Sequence, residues 1–178
     1  MERHQSGTIL HPSYLDVLFA RKSQAMRVFR DILGIHDIHH FSMTGFDPSG
    51  QMLSLSSTPA IEFNVVNSGL WRHDQAYCLD WLMDSKHACW TDLYASERFD
   101  ELYYLKQTKY GYASTCALST SCDGIRYLFA FASRYQDAKE SVFADQRRGE
   151  LLQLGQYCMK ELRPFWEEFS CQPFEISA

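Results

Sequence analysis

A run of nine residues in the second half of the chain, Ile125–Ser133, constrains the fold most. Successive residues of a β-strand point to opposite sides of the sheet. One face would carry Ile125, Tyr127, Phe129 and Phe131, and the other would carry Leu128, Ala130 and Ala132. Because both faces are apolar, the run predicts a central strand that is covered on both sides.

Two turn signals predict that the strands pair as hairpins. Residues 47–50 read Asp-Pro-Ser-Gly between the strand-like segments 38–46 and 51–56, and Pro and Gly suit the backbone angles of a tight turn. The dipeptide Asp123 and Gly124 ends a second turn, between a predicted strand at 112–120 and the strand at 125–133. The sequence therefore predicts an antiparallel sheet of at least four strands.

Apolar residues at spacings of three and four predict helices before, between and after the hairpins. The first would begin at Ser13, whose hydroxyl can cap it, and would end at Gly34. Others are predicted from Pro59, over 75–84, over 96–110 and over 141–165, with a loop at 86–90. This order indicates an α/β fold, a single α/β/α sandwich of PAS- or GAF-like shape with helices on both faces. Such a sheet leaves a pocket beneath the helices that cross it.

The length of 178 residues suits one domain. We expect a flexible arm at 1–11, a single sensor-type domain at 12–169 and a tail at 170–178. A net charge of −5 argues against a nucleic-acid surface, which needs clustered Lys and Arg. The polar start and the lack of a long apolar run predict a cytoplasmic protein without a membrane segment, whose six cysteines stay reduced.

The sequence contains no Gly-rich phosphate loop, nucleophile elbow or metal triad, so we expect neither an enzyme nor a bound cofactor or metal. His36, His39 and His40 resemble a metal cluster, but adjacent strand residues point to opposite faces and no further ligand can be placed. Aromatic residues of the middle segment suit either a packed core or the wall of a pocket for an apolar ligand: Trp71, Tyr77, Trp81 and Trp90.

Five short segments carry a resemblance to a known family. They read LSLSSTP at 53–59, WRHD at 71–74, CW at 89–90, YGYAS at 110–114 and RYLFAFAS at 126–133. Together with the order of elements over residues 12–168, they resemble the autoinducer-binding domain of LuxR-type quorum-sensing transcriptional regulators. The resemblance implies a bacterial regulatory domain that binds a small signal molecule.

The resemblance also implies roles for particular residues. Asp74 would accept a hydrogen bond from the amide of an acyl-homoserine lactone, and Trp90 would supply an aromatic wall. The family's lactone-gripping Trp and the Tyr one turn later correspond to Ile61 and Val65, and a family Gly corresponds to Thr115. Because aliphatic side chains replace two polar donors, we expect an apolar ligand other than a standard acyl-homoserine lactone. The candidate ligand-binding residues are Asp74, Trp90, Trp71, Tyr77, Ile61, Val65 and Thr115.

The family carries a C-terminal helix-turn-helix that reads DNA, and no such segment follows the last predicted helix here. We therefore expect no nucleic-acid contact through this domain. Its expected partners are the small apolar signal and a second protein chain, as a homodimer or as a heterodimer with a related regulator. The alternative is a protein-interaction domain that binds no ligand and has filled its pocket with aromatic side chains.

Overall fold

The computed structural model describes residues 7–83 and 87–171. Within these ranges six strands form one sheet: β1 (Ile9–Leu10), β2 (His40–Phe46), β3 (Gln51–Ser56), β4 (His87–Ala88), β5 (Ser114–Cys122) and β6 (Ile125–Ser133). Their order across the sheet is β1-β3-β2-β6-β5-β4. Neighbouring strands are antiparallel except for β1 and β3, which are parallel. The strand β6 therefore lies inside the sheet, as its two apolar faces predicted.

Helices cover both faces of this sheet. They are α1 (Tyr14–Ala20), α2 (Lys22–Phe29), α3 (Pro59–Asn67), α4 (Leu79–Leu82), α5 (Phe99–Lys106), α6 (Arg148–Glu161) and α7 (Arg163–Cys171). On one side α1 contacts β3, where the Tyr14 hydroxyl donates to Ser54 Oγ at 2.8 Å. On the other side α2 packs on β2, with the rings of Phe29 and Phe41 4.8 Å apart. The predicted α/β/α sandwich is confirmed. Across the described ranges, every helix is too short or too polar to span a bilayer.

The two faces of the central strands differ in chemistry. Cross-strand pairing places the side chains of paired residues on one face. The face under α1, α3, α4 and α5 carries mostly polar or small residues, with Leu128, Phe46 and Met52 as larger apolar ones: His40, Ser42, Thr44, Ser54, Ser56, Thr115, Ala117, Ser119 and Ala130. The face under α2, α6 and α7 is apolar: Phe41, Met43, Leu53, Leu55, Cys116, Leu118, Tyr127, Phe129 and Phe131. The apolar face packs against α2, α6 and α7 and forms a large part of the core. The polar face provides side chains for a candidate site.

Gly155 of α6 lies directly on the ring of Phe129, so that a Cβ at this position would clash with the ring. Phe129 is 0 % exposed and cannot move aside. We expect Gly155→Ala to lower the free energy of unfolding by about 1–3 kcal/mol, as overpacking of a core does. Urea unfolding measures this change.

Gly149 of the same helix is the matched control, because a Cβ there would meet no atom within 4 Å. Gly149→Ala is expected to stabilise the protein by up to about 1 kcal/mol, the helix-propensity gain of Ala over Gly. Equal effects of the two substitutions would show that Gly155 is not held against Phe129.

The first predicted helix differs from the structure. Instead of one helix from Ser13 to Gly34, α1 and α2 are separated at Arg21 and the second ends at Phe29. The Ser13 hydroxyl does not cap α1, and the Ser13 backbone N–H donates to His11 Nδ1 at 3.0 Å. Gly34 does adopt the left-handed conformation expected of it, with φ 90°, but it precedes a single 3-10 turn. The structure confirms helices in this segment, as the spacing of apolar residues predicted, but the prediction of one continuous helix is wrong.

The other boundaries also shift. The last predicted helix starts at Arg148 instead of 141 and is interrupted at Leu162, after which α7 continues into the predicted tail. At the other end of the chain, Ile9–Leu10 pair with β3, so the predicted arm at 1–11 partly belongs to the sheet. Residues 1–6 and 172–178 lie outside the described part.

In the middle of the chain, the helix predicted over 75–84 is a 3-10 turn at Gln75–Tyr77 followed by the four residues of α4. The predicted loop at 86–90 contains β4, which pairs with β5. Asp84 and Lys86 lie outside the described residues. The helix predicted over 96–110 is confirmed at its centre by α5, with a 3-10 turn at either end.

Candidate functional site

A cavity lies between the polar face of the sheet and the layer that contains α3 and α5. Its volume is about 10 Å³, which is room for about one water molecule. Four of the side chains that line it are ionisable: His40, Glu62, Asp74 and Lys106. The others are small or apolar: Ser42, Ala76, Ala117, Ala130, Ile61, Tyr77, Trp90, Leu93 and Leu128. So many buried ionisable groups at one place distinguish this region from an ordinary core.

Asp74 and Lys106 form a buried ion pair across the cavity. Asp74 is 0 % exposed and precedes the 3-10 turn at Gln75–Tyr77, where its Oδ1 accepts the backbone N–H of Ala76 at 3.0 Å. Its Oδ2 accepts a hydrogen bond from Lys106 Nζ at 2.6 Å. Lys106 thus donates to the carboxylate for which the family resemblance implied a donor from the ligand.

Aromatic rings surround the Lys106 ammonium. Nζ lies 4.6 Å from the ring centroid of Trp90, 5.2 Å from that of Tyr94 and 5.9 Å from that of Tyr77. Trp90 is held against β5, because its backbone N–H donates to Thr115 Oγ1 and its Nε1 donates to the Cys116 carbonyl, both at 3.0 Å. A cation that faces several rings and a carboxylate is stabilised without water.

Glu62 of α3 and His40 of β2 form a second polar pair beside the first. His40 Nε2 lies 3.9 Å from Glu62 Oε1, and both side chains are buried. Burial raises the pKa of Glu62 to about 7, although the hydroxyls of Ser56 and Ser42 and the Lys106 ammonium oppose this shift. Burial, and then the nearby Lys106 charge, lower the pKa of His40 to about 3, so its imidazole is neutral at physiological pH.

Four of the seven predicted site residues line the cavity: Asp74, Trp90, Tyr77 and Ile61. Thr115 does not line the cavity, but its hydroxyl accepts a hydrogen bond from the backbone N–H of Trp90, which does. Val65 and Trp71 are buried in the core and do not line the cavity. The roles of all seven residues as ligand contacts stay predictions.

Sequence reasoning missed three ionisable residues of the site: His40, Glu62 and Lys106. A signal for Lys106 existed, because it follows Phe99 by seven residues and Leu102 by four on the apolar stripe of α5. A charged residue on such a stripe needs a buried partner. The Asp74–Lys106 contact spans 32 residues of sequence and could not be read from local spacing.

A larger cavity of about 150 Å³ lies elsewhere, between the end of the β5–β6 hairpin and helices α6 and α7. Its walls include Ile125, Tyr127, Met159 and Trp166, and none of the predicted site residues. We place the candidate site at the smaller cavity, because the buried ionisable side chains of the polar face converge there.

Comparison with known proteins finds likeness in structure alone. The sequence matches no protein-family model and no curated protein. Escherichia coli SdiA superposes with a TM-score of 0.63 and 13% identity, over 93% of this chain and 73% of that chain. SdiA in complex with octanoyl-rac-glycerol gives a TM-score of 0.60 and 12% identity, over 90% of this chain and 69% of that chain.

A third structure is CepR2 of Burkholderia cenocepacia, an N-acylhomoserine lactone dependent LuxR family transcription factor. It superposes with a TM-score of 0.53 and 10% identity, over 85% of this chain and 93% of that chain. All three superpositions are below 25% identity, so they show a shared fold. The chain therefore has the fold of the autoinducer-binding domains of LuxR-type regulators, as the five short sequence segments predicted.

Proposed function

We propose that this chain is a signal-binding regulatory domain of the LuxR type, which takes a small molecule into the cavity beside Asp74. One observation carries the proposal: four buried ionisable side chains converge on a single cavity under α3 and α5. Folding alone gains little from such groups, since apolar residues of similar volume stabilise a core at least as well. Their presence at one cavity is explained if they recognise a ligand.

A ligand needs more room than the cavity of about 10 Å³ offers. The state described here is therefore the closed one, in which Lys106 satisfies Asp74. Binding shifts the population toward an open state with α3 and α5 displaced from the sheet, and this opening reduces the apparent affinity. A ligand that displaced Lys106 from Asp74 would have to replace its hydrogen bond to the carboxylate.

The predicted contacts are proposed on this basis. Asp74, Tyr77, Trp90 and Ile61 would touch the ligand, because they already line the cavity. Thr115 would act by holding Trp90, and Val65 and Trp71 would contact the ligand only in the open state. We propose that the domain acts in the cytoplasm as a homodimer or as a heterodimer with a related regulator, and that the ligand stabilises the form that binds the partner.

The second candidate function is a protein-interaction domain that binds no ligand. It is favoured by the small size of the cavity and by the intramolecular partner of Asp74. In this case the pocket would simply be filled, by the side chain of Lys106 and the rings of Trp90, Tyr94 and Tyr77. Ligand-induced stabilisation distinguishes the two functions.

Thermal unfolding with acyl compounds is the test, using octanoyl-rac-glycerol and octanoyl-homoserine lactone as probes. A ligand at 100 times its Kd stabilises the folded state by about 2.7 kcal/mol. For a domain of this size, each kcal/mol raises the Tm by about 2–4 °C. We expect octanoyl-rac-glycerol to raise the Tm by several degrees and the lactone to have a smaller effect.

Ala117→Leu places a larger side chain in the cavity floor and is expected to abolish the shift in Tm. Ser121→Val is the matched control, because Ser121 is an exposed residue of the same strand outside the cavity. If neither probe shifts the Tm of the wild-type protein, the ligand-free alternative is the better description.

A further inference from the structure

We propose that the signal taken by this cavity is a slender aliphatic primary amine, whose ammonium group pairs with Glu62. This inference rests on the proposed function and adds the chemical class of the ligand. It follows from the polar atoms of the cavity wall, from their net charge and from the shape of the cavity floor.

Two atoms of the cavity wall have no hydrogen-bond partner among the described residues: Glu62 Oε2 and His40 Nε2. Glu62 is 3 % exposed and His40 is 0 % exposed. The 3.9 Å between His40 Nε2 and Glu62 Oε1 is too long for a hydrogen bond. Buried polar atoms are nearly always partnered, so a ligand group that donates to Glu62 Oε2 would gain a strong contact.

The charges around the cavity are unbalanced. The Lys106 ammonium neutralises Asp74 at 2.6 Å, and His40 is neutral because burial lowers its pKa. Once ionised, Glu62 contributes one negative charge, and within the described ranges no Lys or Arg lies within 4 Å of its carboxylate. An ammonium group brings the local charge to zero, which a neutral alcohol or amide does not.

The floor of the cavity is narrow and apolar. Ala117 and Ala130 are paired across β5 and β6, Leu128 of β6 lies on the same face, and Ile61 lines the cavity from α3. The methyl groups of this floor offer an apolar surface against which an unbranched alkyl chain can pack. The protein already accommodates one such group here, because Lys106 is an ammonium on a four-carbon stem held beneath Trp90.

Isothermal titration at pH 8 with three probes of one chain length tests the proposal: n-hexylammonium chloride, 1-hexanol and sodium hexanoate. We expect hexylammonium to bind at least about tenfold more tightly than 1-hexanol, because the loss of one charged hydrogen bond has about this effect on affinity. Hexanoate should bind most weakly. Glu62→Gln should weaken hexylammonium at least about tenfold and weaken 1-hexanol much less, because the alcohol carries no charge. If 1-hexanol binds as tightly as hexylammonium, or if Glu62→Gln leaves hexylammonium unaffected, the amine assignment is wrong.

A second measurement needs no variant at position 62. Protonation of Glu62 should weaken hexylammonium binding to the wild-type protein by at least about tenfold between pH 8 and pH 5.5. An affinity that is the same at both pH values would overturn the proposal. Glu97→Gln, which changes an exposed carboxylate, is the matched control and should leave binding unchanged at either pH.

The results also separate this inference from the proposed function. If octanoyl-rac-glycerol stabilises the protein and hexylammonium does not bind, the sensor function stands and the amine is wrong. If neither compound acts, the sensor function is wrong as well.

Discussion

Asp74→Ala is expected to lower the free energy of unfolding by about 3–5 kcal/mol, the usual effect of removing one partner of a buried ion pair. Lys106, which is 6 % exposed, would lose the carboxylate 2.6 Å from its Nζ, and the aromatic rings around its charge do not replace that ion pair. The same change removes the acceptor for the Ala76 backbone N–H. Chemical denaturation at pH 7 measures the loss.

Two further variants identify its cause. Asp74→Asn keeps an acceptor for the Ala76 N–H and removes only the charge, so its loss should be smaller than that of Asp74→Ala. Adding Lys106→Met to Asp74→Ala should recover part of the stability, because no unpaired charge then stays buried, while the Ala76 N–H still lacks its acceptor. If the double variant is as unstable as the sum of the single variants, the two side chains do not interact, and the assigned pairing is wrong.

The second large effect is a pH dependence that comes from Glu62. Its pKa is about 7 in the folded protein, raised by burial from 4.5. Between these values the folded state holds one proton more than the unfolded state, so stability falls as pH rises from about 4.5 to 7. Each pH unit corresponds to about 1.4 kcal/mol, which gives a loss of roughly 3 kcal/mol over this window.

Glu62→Gln should remove this dependence. We expect the variant to gain roughly 3 kcal/mol relative to wild type between pH 4.5 and pH 8, from denaturation curves at a series of pH values. His40, with a pKa lowered to about 3, contributes the opposite slope between pH 3 and 6.5, but it is present in both proteins and cancels in the difference. A constant difference between the two proteins across this range would show that Glu62 is not buried in its neutral form.

Much of the sheet could be predicted, because its signals are local. The turn at Asp47–Gly50 and the Asp123 and Gly124 pair lie between alternating strands, and both hairpins formed as expected. Asp123 has φ 52° and Gly124 has φ 81°, the left-handed pair that this hairpin turn requires. The two-residue strands β1 and β4 were missed, since so short a segment becomes a strand only through its neighbour.

The candidate site was predicted in part. Asp74, Trp90 and Ile61 were placed from a family resemblance and Tyr77 from the aromatic residues of the middle segment, and the structure brings the four to one cavity. The groups that set its charge were missed, because His40, Glu62 and Lys106 come from β2, α3 and α5, which meet only in the folded chain. Their helical or strand spacing shows that they point inward, but it does not show which of them meet.

The separation of polar and apolar faces along β2 and β6 makes register a determinant of specificity. A slip of one residue in the pairing of these strands would move His40 and Ser42 under α6 and α7 and expose Phe41 to the cavity. In the observed register, residues on the two faces of these strands can change independently. Those on the apolar face pack the sheet against the helices, and those on the polar face contact a ligand in the cavity. New recognition could therefore evolve at every second residue while the fold is left intact.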